Sequence, residues 1–356
     1  MYRLPWSKND NPNGWLELTT YCQLNCPGCY RGLFDKSAKR FHEDLNELKK
    51  QVDFLIKTRN VQTISLSGGE PLLYPYLEDL VEYISSKRLR IKIYTNGIKL
   101  DEKKLRRLRD LGVTEFIIHI DKNQKRKGYS SEEELNKLRK SYCNLFRRVE
   151  RINLGFIMPI SKDNYSEIDV LLNFYKSNSD IINLIVFTCY NGQINDQDPN
   201  KKISIEDISK KINEVYHCNP TAYLGKVHTE NKISWLFFFP LIHNGKAIGE
   251  IGKDVYEKVQ SRYHKKHGRY FITIKGNKLK PIHLFGLFDL SKALQLFFKS
   301  ISNPINNQVI LIIDSPEKNE FGWELCESCP DAMIYENKLV PSCLLERIKK
   351  GEKISI

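Results

Sequence analysis

The sequence predicts an α/β fold: a partial (β/α)6 TIM-like barrel followed by a smaller mixed α+β domain. Three observations lead there. Between residues 15 and 189, short apolar segments alternate with longer amphipathic ones. The short segments are rich in Ile, Leu and Val, as in strands of a parallel sheet covered on both faces. Beyond Cys189 the alternation gives way to strand-like segments separated by turns.

The elements follow in order. Residues 15–21 (WLELTTY) alternate apolar and polar side chains, the period of a half-buried strand. Residues 43–57 place Leu45, Leu48, Val52, Leu55 and Ile56 at helical spacing. Strands are expected at 63–67, 89–95, 114–120, 152–160 and 181–188, and helices at 76–86, 102–111, 131–149 and 166–176. Six strands joined by helices imply right-handed crossovers and a curved parallel layer. After it come a helix at 204–217, strands at 222–239, 247–251 and 270–274, and a helix at 287–301. A boundary is expected near residue 195, in NGQINDQDPN, which divides the chain into 1–195, 196–315 and a cysteine-bearing tail, 316–356.

Composition narrows the class. With 356 residues, 41% hydrophobic and 28% charged, the chain is long enough and apolar enough for a large globular domain with an appendage. The first fifteen residues lack the apolar stretch of a signal peptide. The most apolar run, ISWLFFFPLI at 233–242, is half the length of a membrane span. No stable membrane insertion is expected, and a cytoplasmic location is. There the nine cysteines are reduced thiols or metal ligands rather than disulfides. The net charge of +13 is partly local, with nine Lys/Arg against two acidic residues between 253 and 280. Such a balance suits an anionic partner, whether phosphate-bearing substrate, nucleic acid or membrane surface, and equally a plain solvated surface.

Cys22, Cys26 and Cys29 lie directly after the first strand, in CQLNCPGC. Pro27 and Gly28 let the backbone fold around a compact object. A structural zinc asks for four ligands, and an iron–sulfur cube is normally held by four thiolates. Three thiols leave one corner open to a ligand that comes and goes.

That CxxxCxxC, followed by Ser67-Gly68-Gly69-Glu70-Pro71 after the second strand, resembles the radical S-adenosylmethionine (SAM) superfamily, over roughly residues 15 to 190. The resemblance implies that Cys22, Cys26 and Cys29 hold a [4Fe-4S] cluster whose open iron binds the amine and carboxylate of SAM. It implies reductive cleavage to methionine and a 5′-deoxyadenosyl radical, which abstracts hydrogen from substrate, and an external reductant such as a flavodoxin or ferredoxin. It assigns Gly68, Gly69 and Glu70 to the methionyl amine, with Glu70 and Asp121 as candidate catalytic groups. Thr95, Asn96 and His119 at strand ends, and Ile157 in Gly155-Phe156-Ile157, become candidate cofactor contacts. The family's aromatic residue before the third cysteine is Gly28 here, with Tyr30 just after it.

A second thiol group, Cys326, Cys329 and Cys343, sits in a Pro-containing tail. It reads as an auxiliary iron–sulfur cluster, as a zinc site completed from elsewhere, or as free thiols. Cys189, Cys143 and Cys218 are the candidates for a fourth ligand. The seven-cysteine pattern of peptide-maturing relatives is not reproduced. In the loop after the fourth strand, Lys125 and Arg126 are candidate receptors for a phosphate or carboxylate. The tyrosines interleaved with the 253–280 cations suit a nucleic-acid binder, but no RNA-binding motif accompanies them. Residues 235–241 and 284–298 suit a lipid pocket or, more simply, a core.

The expected protein is therefore a radical SAM enzyme acting on an anionic small-molecule or lipid-like substrate. A peptide or tRNA maturase is the alternative. A non-enzymatic electron carrier or zinc-stabilised binding protein has no use for a glycine turn beside an incompletely ligated cluster.

Overall fold

A computed structural model describes residues 1–33, 38–190, 192–195, 198–229, 231–273, 276–320, 322–354 and 356. The boundary expected near residue 195 lies partly outside them; the strand expected at 270–274 is not formed at 270–273, and residue 274 lies outside them.

The first half is a run of strand–helix units. It comprises β1 (Tyr2–Arg3), β2 (Asn13–Glu17), α1 (Leu45–Arg59), β3 (Thr63–Ser67), α2 (Leu77–Ser86) and β4 (Arg90–Thr95). Then come α3 (Glu102–Leu111), β5 (Glu115–His119), α4 (Glu132–Val149), β6 (Asn153–Ile160), α5 (Ile168–Ser177) and β7 (Ile182–Cys189). All six expected strands of this half are present, and each expected helix starts and stops within a few residues of its expected ends. Side-chain caps set several of the starts. Asp44 accepts from Asn46 N (2.9 Å), Asp101 from Lys104 N (2.7 Å) and Ser131 from Glu134 N (3.1 Å).

The second half runs α6 (Ile205–Tyr216), β8 (Ala222–Gly225), β9 (Ile233–Phe238), β10 (Pro240–His243), β11 (Lys246–Glu250) and α7 (Lys253–His267). It continues with β12 (Lys278–Leu279), α8 (Pro281–Leu287), α9 (Leu290–Ser302), β13 (Ile305–Asn307) and β14 (Val309–Ile313). The tail holds β15 (Glu317–Asn319), β16 (Gly322–Glu324), β17 (Ala332–Tyr335), β18 (Lys338–Pro341) and α10 (Leu345–Lys349). The single strand expected at 222–239 is two antiparallel strands, and the basic run from residue 253 opens as a helix.

Strands β2 to β7 lie side by side and parallel, as expected. The sheet then continues: β14 adds a seventh parallel strand beside β7, and β9, β8 and β1 complete ten. Adjacent residues alternate between two cores, because successive strand side chains point to opposite faces. Phe116, Ile118, Ile185, Phe187, Ile310 and Ile312 pack under α1–α6. Ile117, Leu184, Val186, Leu311, Trp235 and Phe237 pack on the other face, against Tyr256, Leu284, Ala293 and Leu296.

The sheet's two edges are β1 and β2, close in sequence but at its opposite ends. The tail touches both. On one side Asn13 Nδ2 donates to Asp331 Oδ1 (2.9 Å), and Met333, Val340 and Leu345 pack on Trp15. On the other, Glu327 N donates to Gly225 O (2.9 Å), Cys326 bridges Lys226, and Arg3 pairs with Glu327. Arg31, buried two residues beyond Cys29, pairs with Glu17 at the end of β2 and with Glu346 of α10 (2.9 Å). One guanidinium joins cysteine loop, sheet and tail.

Arg31→Met leaves the buried Glu17 carboxylate uncompensated and is expected to cost about 3–5 kcal/mol, read as a lower urea midpoint. Glu17→Gln in the same chain removes the stranded charge and should recover part of the loss.

Candidate active site

The C-terminal ends of parallel strands carry the chain's unsatisfied loops, and in barrel-like α/β folds function gathers there. Here they open onto a cavity of about 400 Å³. Cys22, Cys26 and Cys29 line it, together with Ser67, Gly68 and Gly69 from the end of β3, Thr95 and Asn96 after β4, and His119 and Asp121 after β5. Cys326, Cys329 and Cys343 line the same cavity. The two thiol triplets, far apart in sequence, thus share one chamber. Its apolar walls are Trp15, Tyr94, Ile157, Val186, Trp235 and Ile313.

The cysteine loop is held by backbone. Gly69 N donates to Thr19 O (2.7 Å) and Glu70 N to Tyr21 O (2.8 Å). A Cβ on Gly68 would stand 2.5 Å from Thr19 O, and one on Gly69 2.3 Å from Tyr21 O. Gly68 also has φ +128°, a conformation side chains rarely adopt. The glycines let the segment entering the cysteine loop lie directly against the end of β3. Close approach was expected toward a ligand; the first partner that requires it is the chain itself.

Glu70, expected to be catalytic and cofactor-contacting, is placed differently. It is buried and does not line the cavity. Its Oε1 accepts from Thr95 Oγ1 (2.6 Å) and Leu72 N (3.0 Å), and its Oε2 from Asn96 N (2.8 Å). Burial pushes its pKa above the usual carboxylate value despite these donors. Glu70 is a clamp that fixes the loop after β4. Through it Asn96 is set beside the thiols, with Nδ2 3.8 Å from Cys22 Sγ.

Asp121 does face the cavity. Its Oδ2 meets His119 Nε2 at 2.5 Å, and its Oδ1 accepts from Gln124 N (3.0 Å). Burial opposes its charge, but His119 and these donors outweigh burial and hold its pKa below the usual value. Arg126 and Lys125 are not part of the chamber wall. The Arg126 guanidinium donates to Asn96 O (2.6 Å), His119 O (3.0 Å) and Gln124 Oε1 (2.7 Å), tying the loops after β4 and β5 together. Lys125 is exposed, beside Gln23, Leu24 and Asn25. Tyr30 lines the cavity with its hydroxyl donated to Glu17 (2.8 Å). Cys189 lines it as well, whereas Cys143 and Cys218 lie in the hydrophobic core.

Among the described residues no three His, Cys, Asp or Glu side chains converge closely enough to hold a single metal ion. A cube asks less, since each thiolate ligates its own iron. Burial pushes all six thiols up, Cys326 to about 11. Dry thiols of this kind ionise only when positive charge is supplied. Near the tail triplet some is already present. Arg59 is fully buried and donates to Ser328 O (3.1 Å) and Cys329 O (3.0 Å). Its Nε and Nη1 have no partner. A buried guanidinium is costly unless charge balances it; Asp331 is its electrostatic partner, and a thiolate-ligated cluster at Cys329 would add further negative charge. The donor sets of both triplets therefore fit iron–sulfur clusters.

Residues 16–175 match the family described as the radical SAM superfamily. The chain carries a radical SAM domain. A probable GTP 3′,8-cyclase of Methanococcus maripaludis is 33% identical over 108 residues, covering 30% of this chain and 35% of the relative. Fe-coproporphyrin III synthase of Methanosarcina barkeri is 27% identical over 176 residues, covering 48% and 42%. Streptococcus suis SuiB bound to S-adenosylmethionine is similar in structure, with TM-score 0.46 and 16% identity over 58% of this chain and 47% of SuiB. The chain spans well under half the length of these curated relatives. The family's cofactors are a [4Fe-4S] cluster and SAM.

Sequence reasoning missed Trp15, Tyr94 and Asp331 as lining residues, and Arg59 as their buried cation; Trp235 belongs to the 235–241 run read as a lipid pocket or a core. None has a motif of its own; each reaches the site through strand pairing or the tail. If Glu70 acts as a clamp, Glu70→Ala should cost about 1.5–3 kcal/mol and weaken SAM binding in calorimetry. Glu70→Gln, which keeps an acceptor, should restore most of both.

Proposed function

We propose that this chain is a radical SAM enzyme whose catalytic cluster is held by Cys22, Cys26 and Cys29. When bound, that cluster supplies the electron that splits the carbon–sulfur bond of SAM, giving methionine and a 5′-deoxyadenosyl radical that takes hydrogen from substrate. The observation carrying the reading is the meeting, inside the matched domain, of three half-buried thiols with the Gly68–Gly69 turn in one cavity.

The chain's own residues position and dry the site. Gly68 and Gly69 set the cysteine loop, Glu70 and Arg126 fix the loops after β4 and β5, and Asn96 stands beside Cys22. Gly68, Gly69, Thr95, Asn96, His119 and Ile157 are the wall against which SAM would lie. Asp121 holds the His119 ring in place. A reductant such as a flavodoxin or ferredoxin would deliver the electron.

The tail triplet is read as the ligand set of an auxiliary iron–sulfur cluster, with Arg59 supporting its charge. Under this division residues 1–195 are the SAM-cleaving core, 196–315 a mixed part that adds α6, strands β8, β9 and β14 and the helices α7–α9, and 316–356 the auxiliary-cluster tail. The substrate would sit between the triplets, against Trp15, Tyr94 and Trp235. That setting suits a small or lipid-like molecule with an apolar body. An anion is less well provided for: Lys201 lines the chamber, against Asp121, Asp163, Asp314 and Asp331.

Anaerobically reconstituted protein, given dithionite and SAM, should release 5′-deoxyadenosine. The Cys22/Cys26/Cys29→Ala variant should release none. Wild type should bind about eight irons and the Cys326/Cys329/Cys343→Ala variant about four. Zinc at the first triplet, or no 5′-deoxyadenosine, would refute the assignment.

A further inference from the structure

Helix α9 is amphipathic in an unusual way. One strip, Ala293 and Leu296, is buried against the inner core. A neighbouring strip is just as apolar and faces water. Leu290 is 67% exposed, Leu294 40%, Phe298 66% and Ile301 68%. Positions i, i+4, i+8 and i+11 fall within roughly a quarter-turn of a helix. The strip continues onto α8, where Phe285 is 46% exposed and its ring lies 5.8 Å from that of Phe297. The 284–298 segment, expected to be core or a lipid pocket, is only partly core; its other half is on the surface. Scattered exposed leucines need no explanation, but a contiguous apolar strip does.

The surroundings say what covers it. Lys292 and Lys299 stand roughly 100° or more round α9 from the exposed strip, so the cations bordering it come from α7. Arg262 of α7 donates to Gly286 O (3.5 Å), which sets the basic helix beside the apolar hairpin. On α7, Lys253, Lys258, Arg262, Lys265 and Lys266 are exposed. A water-facing apolar strip bordered by cations is the pattern of a helix that lies in a bilayer interface. Its apolar side chains enter the acyl boundary while its lysines meet anionic headgroups. No helix among the described residues is long and apolar enough to cross a membrane, so the attachment is peripheral.

We propose that α8 and α9, with α7 beside them, form a docking face for an anionic lipid bilayer. The basic run does not favour nucleic acid equally. The tyrosines that could stack on bases are engaged within the protein. Tyr256 is buried against Phe239, Tyr263 packs on Phe271 with its hydroxyl on Gln62, and Tyr270 stacks on His264. The free side chains are aliphatic groups and phenylalanines, which suit lipid.

The test is vesicle flotation of the full chain. Extruded phosphatidylcholine vesicles should carry little protein. Vesicles with a quarter phosphatidylglycerol should carry most of it at low salt and far less at high salt. Phe298→Glu with Ile301→Glu, on side chains already in water, should leave thermal unfolding unchanged and weaken vesicle binding by at least about tenfold. Lys258→Glu with Lys265→Glu should weaken it too. Absence of binding to anionic vesicles, or binding indifferent to both variant pairs, overturns the proposal. So does a concentration-dependent dimer in sedimentation that the Phe298/Ile301 pair dissolves, or tight RNA binding that survives that pair. The readout requires no cluster and no SAM, so it stands or falls apart from the catalytic reading.

Discussion

The constraint behind this architecture is an unclosed sheet. Ten strands run from β1 to β2 without meeting, and an open edge exposes backbone groups that need partners. The tail lies against both flanks: Glu327 N bonds to Gly225 O of β8 on one, and Asp331 accepts from the Asn13 side chain of β2 on the other. Filling that opening also carries Cys326, Cys329 and Cys343 to the chamber lined by the first triplet. Edge protection and delivery of the second thiol set are the same contact surface.

Much of this was legible in the sequence, for stated reasons. Residues 15–189 alternate between the strand and helix periods, and each crossover is local, so order and direction follow from the pattern. The three N-terminal cysteines and the glycine turn are adjacent motifs at successive strand ends, and both line the cavity. What escaped was non-local. Val309–Ile313 is a plain apolar run, and nothing nearby indicates that it pairs with β7, over a hundred residues earlier. The helix at 253–267 was obscured by its cations, although Val255, Tyr256, Val259 and Tyr263 recur at helical spacing.

Glu70 shows a different limit. A carboxylate in a turn expected to meet the cofactor invites a direct role, yet its orientation depends on which donors the neighbouring strand end presents. Thr95 Oγ1 and Asn96 N present two, and the charge turns inward. Arg126 was misleading in the same way: a cation in a loop near the site is attractive to anions only if local carbonyls do not claim it first. Motif and proximity identify the neighbourhood, while hydrogen-bond demand decides who faces the ligand.

The same accounting bears on specificity. The chamber's ionised groups are largely met from within: Asp121 by His119, Asp163 by Lys201, Asp314 by Lys226. Such pairs leave little free charge with which to select a substrate. The remaining walls are Trp15 from β2, Tyr94 from β4 and Trp235 from β9, three strands from different parts of the sheet. Under the proposed reading, discrimination would come from the shape of that aromatic wall. Only one of those rings, Tyr94, lies in the stretch matched to radical SAM proteins, since Trp235 falls outside residues 16–175 and Trp15 stands just before them, beside Tyr94 at 4.7 Å. On that reading the shared core would set up the radical chemistry, while the added strands and tail would decide what enters.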